Sequence, residues 1–276
     1  MVLEGGAFRG VYTSGVLDAL MEAGINFQCT VGVSAGALNG VNYVAGQIGR
    51  AARINLMYRH DSRYVGLTAL RHNRGPIGFD FVFDRVNQEL PFDEARFYHP
   101  ARRFVAVATN CRTGQPVYFE KGLFRDIFGA VRASASMPYV SRPVMLEGTP
   151  YLDGGCSVKI PYAWAMAQGY EKILVVRSRT ADFRYPPQKR PSPASQVYRR
   201  YPKLARQLDL GHSRYNTDCQ TLSQLHRAGR LFMIAPSKDP DVLRLEPDME
   251  KLGKLYYLGY QDGQNALPAL KRYLHR

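Results

Sequence analysis

Apolar and polar positions recur along the chain with two alternating periods, which predict strands and helices in turn. Seven short runs rich in apolar and β-branched residues are typical of strands: residues 1–3, 27–33, 104–109, 116–119, 144–146, 151–152 and 172–176. Six segments with apolar residues at helical spacing predict helices: residues 11–23, 37–45, 48–58, 79–90, 123–133 and 162–169. Strands that alternate with helices favour an α/β fold, a three-layer sandwich whose central sheet is mostly parallel.

After residue 178 the pattern becomes mainly helical. It predicts helices over residues 195–208 and 213–228, a strand over 231–234 and a long helix from residue 249 onward. We therefore expect a C-terminal helical extension beside the α/β sheet.

The composition is that of a globular protein. Hydrophobic residues make up 45% of the 276 positions, enough for a sizeable core and too many for a disordered chain. The sequence has no stretch of about 18 apolar residues that would span a membrane, and its first residues do not resemble a secretory signal. The four cysteines match no zinc or disulfide pattern. These features indicate a cytoplasmic location.

The net charge of +14 bears on the partners of the protein. Residues 177–206 concentrate it, with nine Lys or Arg against the single acid Asp182. Charge runs of this kind are usually a solvated loop and helix face. The alternative is a patch that attracts an anionic surface, such as lipid headgroups or nucleic acid.

A G-x-S-x-G motif is the strongest chemical signal. Gly32, Ser34 and Gly36 lie between a predicted strand and a predicted helix, which is the context of a nucleophile elbow. The glycines lack the Cβ atoms that would hold strand and helix apart. The N-terminus of the helix directs free N–H groups toward the serine. The alternative is that Ser34 is an ordinary helix N-cap.

A glycine-rich turn joins the first predicted strand and helix. Ala7 breaks the dinucleotide-binding pattern, and no Gly-Lys-Ser/Thr follows to make a phosphate-binding loop. An oxyanion hole needs only backbone N–H groups that point at one spot, and Gly5, Gly6 and Ala7 can supply them. Arg9 adds positive charge beside them; the alternative is that it forms a salt bridge with Glu4.

Asp153 follows another predicted strand and precedes two glycines, Gly154 and Gly155. A simple turn is the commoner meaning of this pattern. A carboxylate in this place is also a candidate base for the serine proton, and partial burial would raise its pKa from about 3.9.

In this chain order the three motifs resemble the patatin-like phospholipase family, the lipid acyl hydrolases with a Ser-Asp dyad, and its bacterial members in particular. Residues 5–10 match the family's G-G-G-x-Lys/Arg-Gly loop, with Ala7 in place of the third glycine. Residues 32–36 match its elbow and residues 153–155 its D-G-G block. Residues 133–138 are similar to its A-S-x-A-x-P segment.

The resemblance implies a serine acyl hydrolase, a phospholipase A or lipid esterase, in which Ser34 attacks the ester and Asp153 accepts its proton. It assigns the oxyanion hole to Gly5, Gly6, Ala7, Arg9 and Ala35. It assigns the elbow and the tight turns to Gly10, Gly32, Gly36, Gly154 and Gly155. It implies a lipid ester as substrate, with no metal, no cofactor and no catalytic histidine.

The resemblance covers residues 1–178, which we predict to be a patatin-like catalytic domain. Residues 179–276 are then a basic loop and a mainly helical extension packed on it. With a lipid substrate, residues 177–206 are expected to make peripheral contact with an anionic membrane, at its inner face. No nucleic acid is expected, since the sequence has no zinc spacing and no recognisable helix-turn-helix.

Two other functions stay open. The first is a Ser-Asp-His esterase of the α/β-hydrolase type, with His212, His226 or His275 as the base, although the elbow of such folds usually follows several strands. The second is a catalytically weak lipid- or nucleic-acid-binding protein, which the alanine at position 7 makes conceivable.

Overall fold

A central sheet organises the computed structural model, which describes residues 1–187 and 192–275. Eight strands of this part of the chain form the sheet: β1 Val2–Leu3, β2 Cys29–Val33, β3 Arg103–Asn110, β4 Pro116–Glu120, β5 Val144–Leu146, β6 Thr149–Asp153, β7 Leu174–Val176 and β8 Phe232–Ile234. Their order is β5-β6-β3-β2-β1-β7-β8, with β4 paired to β3. The path from β3 to β8 is parallel, whereas β4 and β6 run antiparallel to β3. The predicted α/β class with a mostly parallel sheet is confirmed.

Helices flank this sheet on both faces. The α-helices are α1 Gly10–Glu22, α2 Ala35–Val44, α3 Arg50–Met57, α4 Leu67–Asn73, α5 Phe79–Phe81, α6 Asn87–Glu89, α7 Glu94–Phe97, α8 Ile127–Ser134, α9 Tyr162–Ala167, α10 Ala194–Val197, α11 Pro202–Asp209, α12 Gly211–Arg227 and α13 Met249–His275. A π-helical turn, Val82–Val86, joins α5 to α6, so the helix predicted over 79–90 is one helical segment.

Two predicted helices differ from the observed ones. The helix predicted over 195–208 is wrong as a single element, because it is interrupted between α10 and α11. Pro202 begins α11, and a proline disfavours helical geometry in the residue before it; Tyr201 has ψ of 63°. The helix predicted from residue 123 begins only at Ile127, where the side chain of Asp126 caps it by accepting from the Gly129 N–H.

Side chains of the parallel strands alternate between two clusters. Val31 and Val105 pack on one face with residues of α9 and α12. Leu3, Phe104 and Val176 pack on the other face with residues of α1, α2 and α13. Neighbouring residues of a strand point to opposite faces of the sheet, so a continuous apolar run places apolar side chains on both faces. The three-layer arrangement follows from this alternation.

The C-terminal extension adds to the sheet as well as covering it. β8 pairs in parallel with β7, and α13 packs along α1. The two helices meet where a Cβ on Gly259 would lie 2.0 Å from the Tyr12 carbonyl oxygen, so backbone contacts backbone. The division at residue 178 stays a prediction. None of the helices in the described ranges is long and apolar enough to cross a membrane.

Candidate active site

Ser34 lies at the sharp turn between β2 and α2. Its φ of 55° and ψ of −123° are unusual for a residue with a side chain, and such strain is typical of functional positions. A Cβ on Gly32 would lie 2.5 Å from the Gly36 carbonyl carbon, and one on Gly36 would lie 2.4 Å from the Leu3 carbonyl oxygen. Both elbow glycines are therefore required by close packing, and Ser34 makes no side-chain N-cap hydrogen bond.

The Ser34 hydroxyl meets a carboxylate directly. Its Oγ donates a 2.7 Å hydrogen bond to Oδ2 of Asp153, and both residues are buried. The other carboxylate oxygen of Asp153 accepts the N–H of Gly155 at 2.7 Å. A Cβ on Gly154 would lie 2.2 Å from the Val107 carbonyl oxygen, so the turn after Asp153 also needs its glycine.

Burial changes the acidity of Asp153. Loss of water around the carboxylate raises its pKa to about 6, while hydrogen bonds from Ser34 and Gly155 and the charges of Lys159 and Arg244 act in the opposite direction. A carboxylate with this pKa is a better base than an exposed one, and it is still ionised at neutral pH.

The segment over residues 133–138 holds both partners in place. Ser134 Oγ accepts the backbone N–H of Ser34 at 2.8 Å, and the Ser136 carbonyl accepts the N–H of Asp153 at 2.9 Å. The sequence analysis singled out this segment, but it did not predict the role of Ser134. Nothing in the local sequence distinguishes this serine from an ordinary residue at the end of a helix.

The glycine-rich turn passes directly over Ser34. A Cβ on Gly5 would lie 3.1 Å from the Ser34 Cβ, and one on Gly6 would lie 2.6 Å from the Ser178 Oγ. The Gly5 N–H donates to the Lys159 carbonyl over 3.4 Å, so it is already engaged. In the described part of the chain, the N–H groups of Gly6 and Ala7 have no such acceptor. Ala7 has φ of 50°, in the region that favours glycine.

Gly10 and Ala35 bring the turn and the elbow helix into contact. A Cβ on Gly10 would lie 2.7 Å from the Ala35 Cβ. Ala35 is the first residue of α2, where the backbone N–H groups of a helix lack intrahelical acceptors. The predicted oxyanion residues therefore surround Ser34, with Gly6, Ala7 and Ala35 as the available donors.

The predicted alternative of a salt bridge between Arg9 and Glu4 is wrong. Glu4 lies instead 3.7 Å from Arg177, which is fully buried, and its carboxylate accepts from the Ser178 N–H and the Tyr215 hydroxyl. Arg177 follows β7 and Glu4 follows β1, so adjacent parallel strands bring them together. Arg9 is buried without a carboxylate within 4.0 Å among the described residues.

Two cavities meet at Ser34. The first has a volume of about 280 Å³ and is mostly apolar, with Phe8, Leu38, Phe79, Val82, Phe83 and Phe92 among its lining residues. The second has a volume of about 370 Å³ and is more polar, with Arg9, Asp153, Lys159, Arg179, His212 and Arg244 in its wall. Lys159 and Arg244 belong to no motif that the sequence offered.

The basic residues of 177–206 divide into three groups. Arg177 is buried in the ion pair with Glu4 and does not add to a surface patch. Arg179 is half-buried, with its guanidinium 4.2 Å from the ring centre of Phe183. The exposed members are Arg184, Arg199, Arg200, Lys203 and Arg206. Lys189 and Arg190 lie outside the described residues.

Two family models match parts of the chain. Residues 1–165 match the Patatin-like phospholipase family, and residues 201–275 match a domain of unknown function. The match covers more than half of the chain, so the protein belongs to the patatin-like phospholipase family.

Similar proteins include curated relatives and one solved structure. The uncharacterized protein YjjU of Escherichia coli K12 is 34% identical over 68% of this chain and 54% of its own length. Lysophospholipase nte1 of Aspergillus terreus is 28% identical over 56% of this chain and 10% of its own length. The chain thus spans about half of the first relative and a tenth of the second. The crystal structure of VipD from Legionella pneumophila shares the fold, with a TM-score of 0.50 and 13% identity over 97% of this chain and 66% of that one.

Proposed function

We propose that the protein is a serine acyl hydrolase of lipid esters that uses Ser34 as nucleophile and Asp153 as general base. The 2.7 Å hydrogen bond between the Ser34 hydroxyl and the Asp153 carboxylate is the observation that carries the proposal. It joins a nucleophile to a base of suitable pKa at the place where an apolar and a polar cavity meet.

The reaction has two halves. In the first, the Ser34 oxygen bonds to the ester carbonyl carbon as its proton passes to Asp153, and the carbonyl electron pair moves onto the oxygen. Collapse of this intermediate breaks the bond to the alcohol, which takes the proton from Asp153. In the second, water bonds to the acyl carbon as its proton passes to Asp153. The bond between the acyl carbon and the Ser34 oxygen then breaks, Ser34 takes the proton back from Asp153, and the fatty acid is released.

The backbone N–H groups of Gly6, Ala7 and Ala35 are proposed to stabilise the oxyanion. They lie around Ser34 and lack protein acceptors within the described chain. Removing one such donor from an enzyme typically costs about 3 to 4 kcal/mol of transition-state stabilisation. The strain at Ser34 and Ala7 is consistent with a loop held for this purpose.

The apolar cavity is proposed to hold the acyl chain. Ser34 lies in its wall, and aromatic and aliphatic side chains from residues 79–92 form much of the remainder. An alkyl chain gains free energy when it leaves water for such a surface, about 0.8 kcal/mol per methylene. The substrate class proposed is therefore a phospholipid or a related lipid ester.

Residues 177–206 are proposed to bring the enzyme to an anionic membrane from the cytoplasmic side. Val197 and Leu210 are exposed apolar residues that flank the exposed cations of α11 and the turn before it in the sequence. Such a mixture suits a surface with anionic headgroups above an apolar interior.

A fluorophosphonate probe tests the proposal because it reacts with activated serines. The wild type is expected to be labelled, Ser34→Ala to be unlabelled and Asp153→Asn to be labelled at least a hundredfold more slowly, an order-of-magnitude expectation for loss of a general base. Ser223→Ala is a matched control, since Ser223 is a partly buried serine of α12 that donates to the Cys219 carbonyl and lines neither cavity. Labelling of Ser34→Ala at the wild-type rate would refute the assignment.

A further inference from the structure

We propose that the polar cavity beside Ser34 binds the phosphate monoester group of its lipid substrate, so that the enzyme prefers esters with a terminal phosphate to neutral glycerides. The inference rests on the proposed hydrolase function and adds the headgroup class to it.

The cavity has an excess of positive charge. Arg9, Lys159, Arg179 and Arg244 line it. Its two carboxylates are already engaged, Glu4 with Arg177, Ser178 and Tyr215, and Asp153 with Ser34 and Gly155. Within the described ranges none of the four cations lies within 4.0 Å of a carboxylate.

Three of the lining residues hold unpaired nitrogen atoms. Nε of Arg9, Nε of Arg179 and Nδ1 of His212 are buried and find no hydrogen-bond partner among the described residues. Arg9 as a whole is only 6% exposed. A buried cation without a partner is unfavourable, and a phosphate monoester carries three acceptor oxygens and close to two negative charges.

The cations are close enough to repel one another. Burial lowers the pKa of Arg9, and the charges of Arg179 and Arg244 lower it further. Burial lowers the pKa of Lys159; the charge of Asp153 raises it, and the charge of Arg244 lowers it. An anion in the cavity would relieve this repulsion, whereas a choline or ethanolamine group would add to it.

The position of the cavity fits an ester that carries both an acyl chain and a phosphate. Ser34, Ala7 and Met137 line both cavities. A substrate with its chain in the apolar cavity and its phosphate in the polar one therefore places the ester bond at Ser34. Arg179, His212 and Arg244 lie beyond the residues that match the family, so the C-terminal part of this chain completes a site that Arg9 and Lys159 begin.

The test compares a monoacylglycerol phosphate with the monoacylglycerol of the same short acyl chain, at concentrations where neither aggregates. We expect the wild type to favour the phosphate ester in kcat/KM by at least about tenfold, as charged hydrogen bonds predict. Arg244→Gln should lower this ratio about tenfold. Arg244 is exposed, so its replacement spares the fold. Arg230→Gln is the matched control, an exposed arginine at the amino end of β8, and should keep the wild-type ratio.

The thermal shift caused by inorganic phosphate is a second measurement, and it does not depend on turnover. Phosphate should raise the Tm of the wild type and of Arg230→Gln, and raise that of Arg244→Gln less, because a ligand stabilises the state that binds it. A wild-type ratio near one, or the same ratio in Arg244→Gln as in the wild type, would overturn the proposal. A phosphate-dependent Tm with a ratio near one would assign the cavity to free phosphate instead. Failure to hydrolyse either ester, together with absence of fluorophosphonate labelling, would refute the hydrolase function itself.

Discussion

The Ser34 hydroxyl donates a hydrogen bond of 2.7 Å to Asp153, a residue 119 positions further along the chain. Ser34 follows the end of β2, where Val33 lies beside Val107 of β3. β6 pairs with only the last residues of β3, and Asp153 at its end lies opposite Ala108, next to that point. The contact is direct, without a histidine between the two side chains. The pH dependence of activity should therefore report the carboxylate.

We expect the kcat/KM for a neutral short-chain ester to rise with pH through about 6 and then to level off. The base must be ionised to accept the serine proton, and burial raises the pKa of Asp153 to about 6. Initial rates with p-nitrophenyl butyrate between pH 4.5 and 8.5 measure this, with Ser34→Ala as the background.

His212 distinguishes this mechanism from the Ser-Asp-His alternative, since it lines the polar cavity. In the proposed mechanism His212→Gln keeps the rise through pH 6. Loss of that rise in His212→Gln, with Asp153→Asn still active, would favour a histidine base.

Asp153→Asn should stabilise the folded protein at neutral pH while it removes activity. The folded-state pKa of about 6 lies above the unfolded value, so the folded state binds an extra proton between about pH 4 and 6. The contribution of protonated Asp153 to the free energy of unfolding is thus fully present below pH 4 and is lost as the pH rises through 6. Asparagine cannot ionise and avoids this loss.

The expected gain in the free energy of unfolding at pH 7.5 is about 1 to 3 kcal/mol, and it should shrink toward zero near pH 4. Urea unfolding at both pH values measures the difference. An equal effect at both values would mean that packing or hydrogen bonding, and not the charge of Asp153, sets the stability.

The sequence was sufficient for most of the elements around the site. β2, Ser34 and α2 follow one another within sixteen positions, so the elbow is a local feature that spacing predicts. Likewise β6 and the glycines after Asp153 are adjacent in sequence. The parallel strands were predicted from short continuous apolar runs, because a strand that is buried on both faces needs apolar residues at every position.

Partners distant in sequence were not predictable in the same way. Glu4 pairs with Arg177 because β1 and β7 are neighbours in the sheet. The local periodicity of apolar residues predicts strands but not their order in the sheet. The strand over β8 was predicted, but its place beside β7 was not. Lys159 and Arg244 reach the polar cavity through the tertiary fold alone. Pro202 was a local signal for the interruption before α11, but the helical spacing of the apolar residues on both sides of it predicted a single helix.

Two substitutions at Ala7 test the proposed oxyanion loop. Ala7→Gly should keep kcat within about twofold, because glycine adopts a φ of 50° without strain. Ala7→Val should lower kcat by a hundredfold or more, since a β-branched residue disfavours this geometry and loss of one donor costs about 3 kcal/mol. Steady-state rates with the same short-chain ester measure both. Equal activity of the two variants would show that the backbone at this position does not serve the reaction.

Gly259 provides a test of the packing of α13 on α1. A Cβ there would lie 2.0 Å from the Tyr12 carbonyl oxygen, so Gly259→Ala should force the helices apart and cost about 1 to 3 kcal/mol. Gly253 is in the same helix with nothing within 4 Å of its Cβ position, so Gly253→Ala should stabilise by about 0.5 to 1 kcal/mol. Thermal unfolding compares them, and destabilisation of both by the same amount would count against the close contact.

The exposed cations before and within α11 should govern binding to anionic vesicles. Arg199 and Arg200 are exposed, and each Lys or Arg near such a surface contributes about 1 kcal/mol. The pair Arg199→Gln and Arg200→Gln should therefore weaken co-sedimentation with phosphatidylglycerol vesicles by roughly thirtyfold at low salt. The pair Arg227→Gln and Arg230→Gln removes the same charge from exposed positions at the end of α12 and beyond it. An equal loss in both pairs would mean that net charge, and not the position of these cations, sets the attraction.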